Sequence, residues 1–173
     1  MKRAWVALMA VAAAAVLIPS AWAQNNPRGK TEVDLNGTKV SIEYGRPALN
    51  GRTAEALLGQ LPAGDVWRLG ADKSTTFSTS GDLTFGDVPV PKGDYSLWAQ
   101  KQADNSWKLV FNKQHGQWGT DHDAAQDFAS VPLTIEKEGS AQQVTIKFEK
   151  EGGGGEISIQ WGDTELSANF KAK

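Results

Sequence analysis

Three arginines and a neighbouring tryptophan are the residues of this sequence best suited to bind a ligand. Arg46 and Arg52 lie in the segment YGRPALNGR, and Arg68 follows Trp67 in VWRLG. A guanidinium group presents a flat fork of N–H donors that matches the oxygens of a carboxylate or a phosphate. If the fold brings the three arginines together, they form a pocket for an anion.

The same arginines have a structural alternative. Each can pair with a nearby carboxylate while its aliphatic stem covers apolar surface, and the available carboxylates are Glu43, Asp65 and Asp72. Guanidinium donors can also satisfy backbone carbonyls where regular structure is scarce. We favour an internal brace that leaves one edge of Arg68 available to a ligand, and we include Asp72 among the candidate binding residues.

The tryptophans divide by their position in the sequence pattern. Trp118, in the loop sequence NKQHGQWG, is the best candidate for a ligand contact, because an exposed indole can stack on a sugar or a cation. Trp107 and Trp161 lie on the same face of their predicted strands as the other apolar residues and are predicted to lie in the core. Trp98 lies on the opposite face of its predicted strand from the other apolar residues, so it either packs under a loop or forms part of a surface patch.

A metal site is conceivable around two histidines. His115 and His122 flank GQWGTD, and Asp121 and Asp123 adjoin the second histidine. Imidazole and carboxylate ligands suit zinc, but this histidine spacing matches no zinc motif, and the aspartates up to Asp127 lack the glycine and glutamate of a calcium loop. We therefore interpret the segment as a solvated polar loop and predict no metal site.

Catalytic motifs are also missing. The sequence has no G-x-S-x-G elbow, no H-E-x-x-H pair and no phosphate-binding loop. Loop carboxylates such as Glu43 and Asp121 leave a glycoside-type hydrolase as an alternative, since that chemistry needs a pair of carboxyl groups. We predict no catalytic residue and no cofactor, and we lean against enzymatic activity.

The first 23 residues have the pattern of a secretory signal peptide. Two basic residues precede an apolar stretch that ends near Ile18 and is too short to span a bilayer of about 30 Å. The small-residue sequence AWA follows it. Cleavage between Ala23 and Gln24 is expected to release residues 24–173 as a single domain, without membrane insertion, into the periplasm or the extracellular medium.

The net charge and the absence of cysteine exclude some classes of partner and chemistry. Removal of the signal peptide leaves 16 basic residues against 20 acidic ones, a net charge of −4. Nucleic-acid binding calls for a basic surface, so nucleic acid is an unsuitable partner. The sequence contains no cysteine, which excludes disulfides and thiolate chemistry.

Apolar residues recur at every second position after the signal peptide, as expected for half-buried strands. The clearest segments are Val40-Ile42-Tyr44, Tyr95-Leu97-Ala99, Trp107-Leu109-Phe111, Val144-Ile146-Phe148, Ile157-Ile159-Trp161 and Leu166-Ala168-Phe170. Turn residues separate them at short intervals. The sequence therefore predicts an all-β protein, an antiparallel β-sandwich of jelly-roll or immunoglobulin-like type.

Glycine-containing pairs predict where the chain turns. Asn36-Gly37 and Gly162-Asp163 suit tight hairpins, because these residue types accept positive φ. Gly139-Ser140 predicts a further turn. The four glycines at 152–155 are interpreted as a flexible hairpin tip, because no lysine-serine pair follows them as a phosphate-binding loop requires.

One short helix interrupts the strands near residues 54–58. Thr53 is suited to be its N-cap, helix-forming residues follow, and Gly59 supplies a stop. The remaining irregular stretches are residues 45–68 and 116–127. In β-rich domains such loops are where a binding site is expected.

Five segments of the chain resemble a bacterial family known as the domain of unknown function 2911. They are VSIEYGRPALNGR (Val40 to Arg52), LPAGDVWRLGADKSTTFSTS (Leu61 to Ser80), VPKGDYSLWA (Val90 to Ala99), WKLVFNKQHGQWG (Trp107 to Gly119) and ISIQWGDTELSANF (Ile157 to Phe170). The resemblance implies an exported, β-rich protein. It implies no activity and no catalytic residue.

The leading functional hypothesis is a non-enzymatic exported binding module. Its ligand is expected to be a small anion, a glycan or another envelope protein, and the binding residues are Arg46, Arg52, Trp67, Arg68, Asp72 and Trp118. The alternatives are a hydrolase that uses loop carboxylates and a purely structural envelope protein. In the structural alternative the same residues are wholly internal.

Overall fold

The computed structural model describes residues 26–173, and the predicted signal peptide lies outside this part of the chain. Its strands are β1 (Arg28–Leu35), β2 (Thr38–Gly45), β3 (Val66–Trp67), β4 (Thr75–Thr79), β5 (Leu83–Phe85), β6 (Val88–Val90), β7 (Gly93–Lys101), β8 (Trp107–Asn112), β9 (Asp127–Glu151) and β10 (Gly154–Ala172). Helix α1 (Ala54–Gly59) lies between β2 and β3, and a 3₁₀ helix (Ala124–Gln126) precedes β9.

The strands form an antiparallel all-β sandwich, which confirms the predicted fold class. Their hydrogen-bonded order is β1-β2-β4-β7-β8-β9-β10-β5-β6, and β3 pairs with β7 outside this path. Strand β9 joins the two layers: residues 127–133 pair with β8, and residues 134–151 pair with β10. One layer therefore continues into the other along β9, and the described strands do not close into a barrel.

Phenylalanines fill the space between the layers. Phe111 of β8 is fully buried and lies edge-on to Phe77 and Phe85, with ring centroids 5.5 and 5.1 Å apart. Phe85 in turn stacks on Phe170 at 5.2 Å. Because these rings come from both layers, their packing holds the two sheets face to face.

A buried tyrosine ties the layers together by hydrogen bonds. The hydroxyl of Tyr44 in β2 accepts from the backbone N–H of Ile146 at 2.9 Å and donates to the carbonyl of the same residue at 3.3 Å. The two residues are 102 positions apart in the sequence. The phenol thus acts as a substitute strand neighbour for a backbone position in the opposite sheet.

Two predicted turns are wrong, because the strands continue through them. Gly139-Ser140 lies within β9, and Gly162-Asp163 lies within β10. The register between these strands shifts on both sides of Gly162, whose φ is +63°. Glycine here accommodates a β-bulge in a long hairpin, a role that local sequence does not separate from a turn.

The hairpin tip at Asn36-Gly37 and the start of the helix are confirmed. The predicted stop at Gly59 is not, and of the predicted tip at 152–155 only Gly152 and Gly153 form the turn, because Gly154 and Gly155 pair with β9. Asn36 and Gly37 form the tip between β1 and β2, and both have positive φ. The side chain of Thr53 accepts the N–H of Ala56 and caps α1. Gly59 belongs to the helix itself, which ends at Gln60 in a right-handed conformation. Within residues 26–173, no helix is both long and apolar enough to cross a membrane.

Candidate functional site

A pocket of about 310 Å³ lies beside α1 and brings three of the predicted binding residues together. Its lining comprises Pro47, Arg52, Leu57, Leu58, Leu61, Trp67, Arg68, Gly70 and Trp161, hereafter the arginine–tryptophan pocket. Six of these residues are apolar and two carry a positive charge. Within the part of the chain that the structure describes, no carboxylate in the lining neutralises these two positive charges.

Two stacked indoles form one wall of the pocket. Trp67 of β3 lies nearly parallel to Trp161 of β10, with ring centroids 5.6 Å apart and planes 9° apart. Trp161 is buried, as its strand parity predicted, and Trp67 is half-buried. The Nε1–H of Trp161 is enclosed and has no acceptor among the described residues. Parity placed Trp161 in the core but did not show that it lines a site.

Arg68 has an unused guanidinium group. Its side chain is half-buried, and within residues 26–173 no acceptor lies at hydrogen-bond distance and no carboxylate forms a salt bridge with it. The predicted pairings with Asp65 and Asp72 are therefore absent from this part of the chain. Instead the Arg68 stem packs beside the backbone of Gly119. A positive charge in a lined pocket without an internal partner is available to an anion.

Arg52 combines the two predicted roles. Its Nε donates to the carbonyl of Leu49 at 3.0 Å, and its Nη2 lies 3.5 Å from the carbonyl of Ala48. These contacts hold the loop that precedes α1. The same side chain lines the arginine–tryptophan pocket, so its positive charge contributes there as well.

Arg46 is a brace and does not line the pocket. Its Nε donates to the carbonyl of Val144 at 3.2 Å, and its Nη2 lies 3.4 Å from the hydroxyl of Thr145. The backbone around it continues the same contact, because the N–H of Val144 donates to the carbonyl of Pro47. The three arginines therefore do not converge as a set.

The segment between Arg68 and Asp72 turns sharply and separates the two side chains. Leu69 and Asp72 have φ of +54° and +63°, which is costly for a bulky residue such as leucine. Thr75 supports the turn by donating from its hydroxyl toward the carbonyls of Arg68 and Leu69. The Asp72 carboxylate accepts instead from the backbone N–H of Asn26 at 2.7 Å. Asp72 thus anchors the segment around Asn26, which precedes β1.

The loop that carries Trp118 docks against this turn. The backbones of Trp118 and Lys73 form an isolated antiparallel β-bridge, and the N–H of Gly119 donates to the carbonyl of Asp72 at 2.7 Å. The indole of Trp118 is 50% exposed and does not line the arginine–tryptophan pocket. The loop approaches the site through Gly119, which touches Arg68.

Trp98 packs under the same loop, which decides between its two predicted placements. It is 2% exposed, and His122 covers it with a ring-centroid distance of 4.7 Å. The Nε2 of His122 lies 3.0 Å from a carboxylate oxygen of Asp127, which also accepts from Asn112. His122 therefore closes the loop over a second face of β7 and β8.

Replacing Gly119 by alanine is expected to destabilise the protein by about 1–3 kcal/mol, the usual cost of inserting a methyl group into a packed site. A Cβ at this position would lie 2.7 Å from the carbonyl oxygen of Asp72 and 2.9 Å from Cδ of Arg68. Thermal denaturation measures the effect. The matched control is Thr120→Ala in the same exposed loop, and equal stabilities of the two variants would contradict the contact.

Carboxyl groups with a raised pKa lie on β10, outside the pocket lining. Burial raises the pKa of Glu156, and the negative charges of Glu151 and Glu149 add to it. Burial likewise raises the pKa of Glu165, with a further contribution from Glu138. Neither glutamate lines the arginine–tryptophan pocket, so no carboxyl group of the lining is poised for general acid–base chemistry.

Glu165→Gln is expected to raise the melting temperature near neutral pH and to leave it unchanged under strongly acidic conditions. The folded-state pKa of Glu165 exceeds its ordinary value of 4.5, so its favourable contribution is complete below the unfolded pKa and is lost as the pH rises through the folded pKa. Glutamine has no charge to bury at neutral pH, so the variant avoids this loss of stability. Melting temperatures of the variant and the wild-type protein, measured across pH, test the expected increase, and Glu32→Gln at an exposed position of β1 is the control. A lower melting temperature of Glu165→Gln at neutral pH would contradict the prediction.

The fold and the pocket together define a β-sandwich with a cationic, aromatic cleft beside its short helix. A family model described as "Protein of unknown function (DUF2911)" matches residues 26–170. The chain therefore belongs to this family, as its sequence segments predicted. No curated protein and no solved structure matches the chain.

Proposed function

We propose that this protein is an exported, non-enzymatic binding protein for a small organic anion, which it holds in the arginine–tryptophan pocket. The single observation that carries the proposal is the half-buried guanidinium of Arg68, which lines the pocket and has no acceptor among the described residues. Arg52 adds a second positive charge to the same lining. The predicted signal peptide supplies the export part of the proposal.

The charge balance of the lining favours an anion. Unit charges attract more strongly near a protein surface than in bulk water, because the effective dielectric constant is lower there. Two arginines without a carboxylate in the lining therefore create a local positive potential on a protein whose overall charge is negative. That potential also concentrates anions at the mouth of the pocket.

The same lining disfavours a neutral sugar. Sugar recognition requires donors and acceptors for several hydroxyl groups, as well as an aromatic platform. The described lining has an aromatic platform in Trp67 but no amide, hydroxyl or carboxylate side chain. Of the ligand classes that the sequence left open, the small anion is the one that this chemistry supports.

A thermal-shift screen of the purified protein tests the proposal. The panel contains organic acids, inorganic phosphate and sulfate, neutral sugars and divalent cations. A ligand at about 100 times its Kd stabilises the native state by about 2.7 kcal/mol, which raises the melting temperature by several degrees. We expect such shifts with anions and none with neutral sugars. A flat response to every anion, confirmed by calorimetry, would refute the proposal.

A further inference from the structure

We propose that the ligand of the arginine–tryptophan pocket is an amphipathic carboxylate, one carboxylate group on a compact apolar body. This inference rests on the proposed function of the pocket and specifies the chemistry of its ligand. Two features of the lining carry it: the number of side-chain donors that remain free and the apolar surface that remains uncovered.

The free donors of the lining suit a single carboxylate. Arg68 keeps its whole guanidinium fork, which can take the two oxygens of a carboxylate with parallel hydrogen bonds. Arg52 already directs two of its nitrogens toward backbone carbonyls. Among residues 26–173, no lysine, serine or threonine contributes to the lining. One wholly free guanidinium fork is enough to hold the two oxygens of a single carboxylate.

The uncovered apolar surface calls for an apolar body. Leu57, Leu61 and Trp67 pack against the core with one part of each side chain and leave the rest accessible at the pocket. A ligand that covers them removes apolar surface from water, which favours binding. An inorganic anion would leave this surface exposed.

The two features come from different segments that line one cavity. Leu57 belongs to α1 and Leu61 follows it, whereas Arg68 follows β3 and its stem contacts Gly119. An occupant of the cavity can therefore place its charge at Arg68 and its apolar part against the helix side. This arrangement favours molecules whose charge and apolar body are at opposite ends.

Affinities for a graded series of ligands, measured by calorimetry or tryptophan fluorescence, test the inference. The series is acetate, butyrate and hexanoate, with hexanamide as the neutral analogue and inorganic phosphate as the purely charged one. Burial of each added methylene is expected to strengthen binding roughly two- to fourfold until the cavity is filled. Loss of the charge in hexanamide is expected to weaken binding at least about tenfold.

Two variants separate the charge from the apolar wall. Leu57→Ser is expected to weaken hexanoate binding several-fold and to leave acetate binding unchanged, because only the longer acid reaches the helix side. Arg68→Ala is expected to weaken both acids equally. Circular dichroism and thermal denaturation establish that each variant is folded before its affinities are compared.

The outcomes distinguish the inference from the proposed function. Phosphate binding as tight as hexanoate binding, or affinity independent of chain length, would overturn the inference and leave an anion-binding protein. Failure of every anion to bind the wild-type protein would overturn both.

The same chemistry has a second source, the C-terminal carboxylate of a peptide with an apolar last residue. A tetrapeptide ending in leucine and its C-terminal amide identify that source. Tighter binding of the free acid form than of hexanoate supports the carboxylate and assigns it to a protein terminus. Equal binding of the peptide and its amide would argue against carboxylate recognition.

Discussion

Replacing Phe111 by alanine is expected to lower the free energy of unfolding by about 3–5 kcal/mol, the usual range for removing a buried phenylalanine. Phe111 is fully buried, and its ring contacts Phe77, Phe85 and Tyr95 at centroid distances of 5.5, 5.1 and 6.3 Å. These partners come from both layers of the sandwich. The loss therefore combines the transfer of the missing ring with the cavity left between the sheets.

Denaturant unfolding followed by circular dichroism measures this loss. The matched control is Phe111→Leu, which fills much of the same volume and is expected to cost clearly less than the alanine variant. A decrease below about 1 kcal/mol for the alanine variant would mean that the layers collapse readily around the gap. That result would contradict the close packing of the aromatic cluster.

Replacing Arg68 by alanine is expected to weaken anion binding about 10- to 100-fold, which corresponds to the loss of charge-assisted hydrogen bonds worth about 1.5–3 kcal/mol. The melting temperature is expected to change little, because the Arg68 guanidinium has no acceptor among the described residues. An internal brace predicts the reverse, a large loss of stability. Binding and stability measured on the same preparation therefore decide between the two roles.

Arg28→Ala is the matched control for this experiment. It removes the same charge from an ion pair with Glu43, at a nitrogen–oxygen distance of 3.0 Å, and Arg28 does not line the pocket. Exposed ion pairs contribute about 0–1 kcal/mol, so the control is expected to remain folded. An equal loss of anion affinity in both variants would show that net charge, and not the pocket, attracts the anion.

Neither the family nor the sandwich architecture indicates a reaction. The family match covers residues 26–170 and carries no activity. The pocket therefore has to be judged by its own chemistry, as any site on a widely used fold must be. Its two arginines, stacked indoles and leucines specify the ligand classes to be measured first.

Much of the fold was predictable because it depends on local patterns. The alternation Val40-Ile42-Tyr44 placed all three residues in the core, where they are buried. Thr53 signalled the start of α1, and Asn36-Gly37 signalled a hairpin that the structure contains. Side-chain alternation, capping and turn preference act over a few residues, so they can be read without knowledge of the rest of the chain.

The candidate site was predictable only in part. The sequence identified Arg52, Trp67 and Arg68, which line one pocket, but it grouped Arg46 with them. It missed Leu57 of α1 and Leu61 just after it, because the helix was predicted without a partner surface. Arginines and tryptophans in irregular segments indicated where the site lies. The residues that each of them contacts could not be predicted from the sequence.

The sequence by itself determined the alternation of the main strands, the capped start of the helix, the hairpin tip at Asn36-Gly37, the turn at Gly152-Gly153, and the family. Tertiary structure decided which arginine is satisfied and which is free: Arg46 reaches a carbonyl 98 positions away in β9, and Arg68 is turned away from Asp72 by the left-handed residues between β3 and β4. It also paired Trp67 with Trp161. These outcomes depend on contacts between distant parts of the chain, which periodicity and turn preference do not encode.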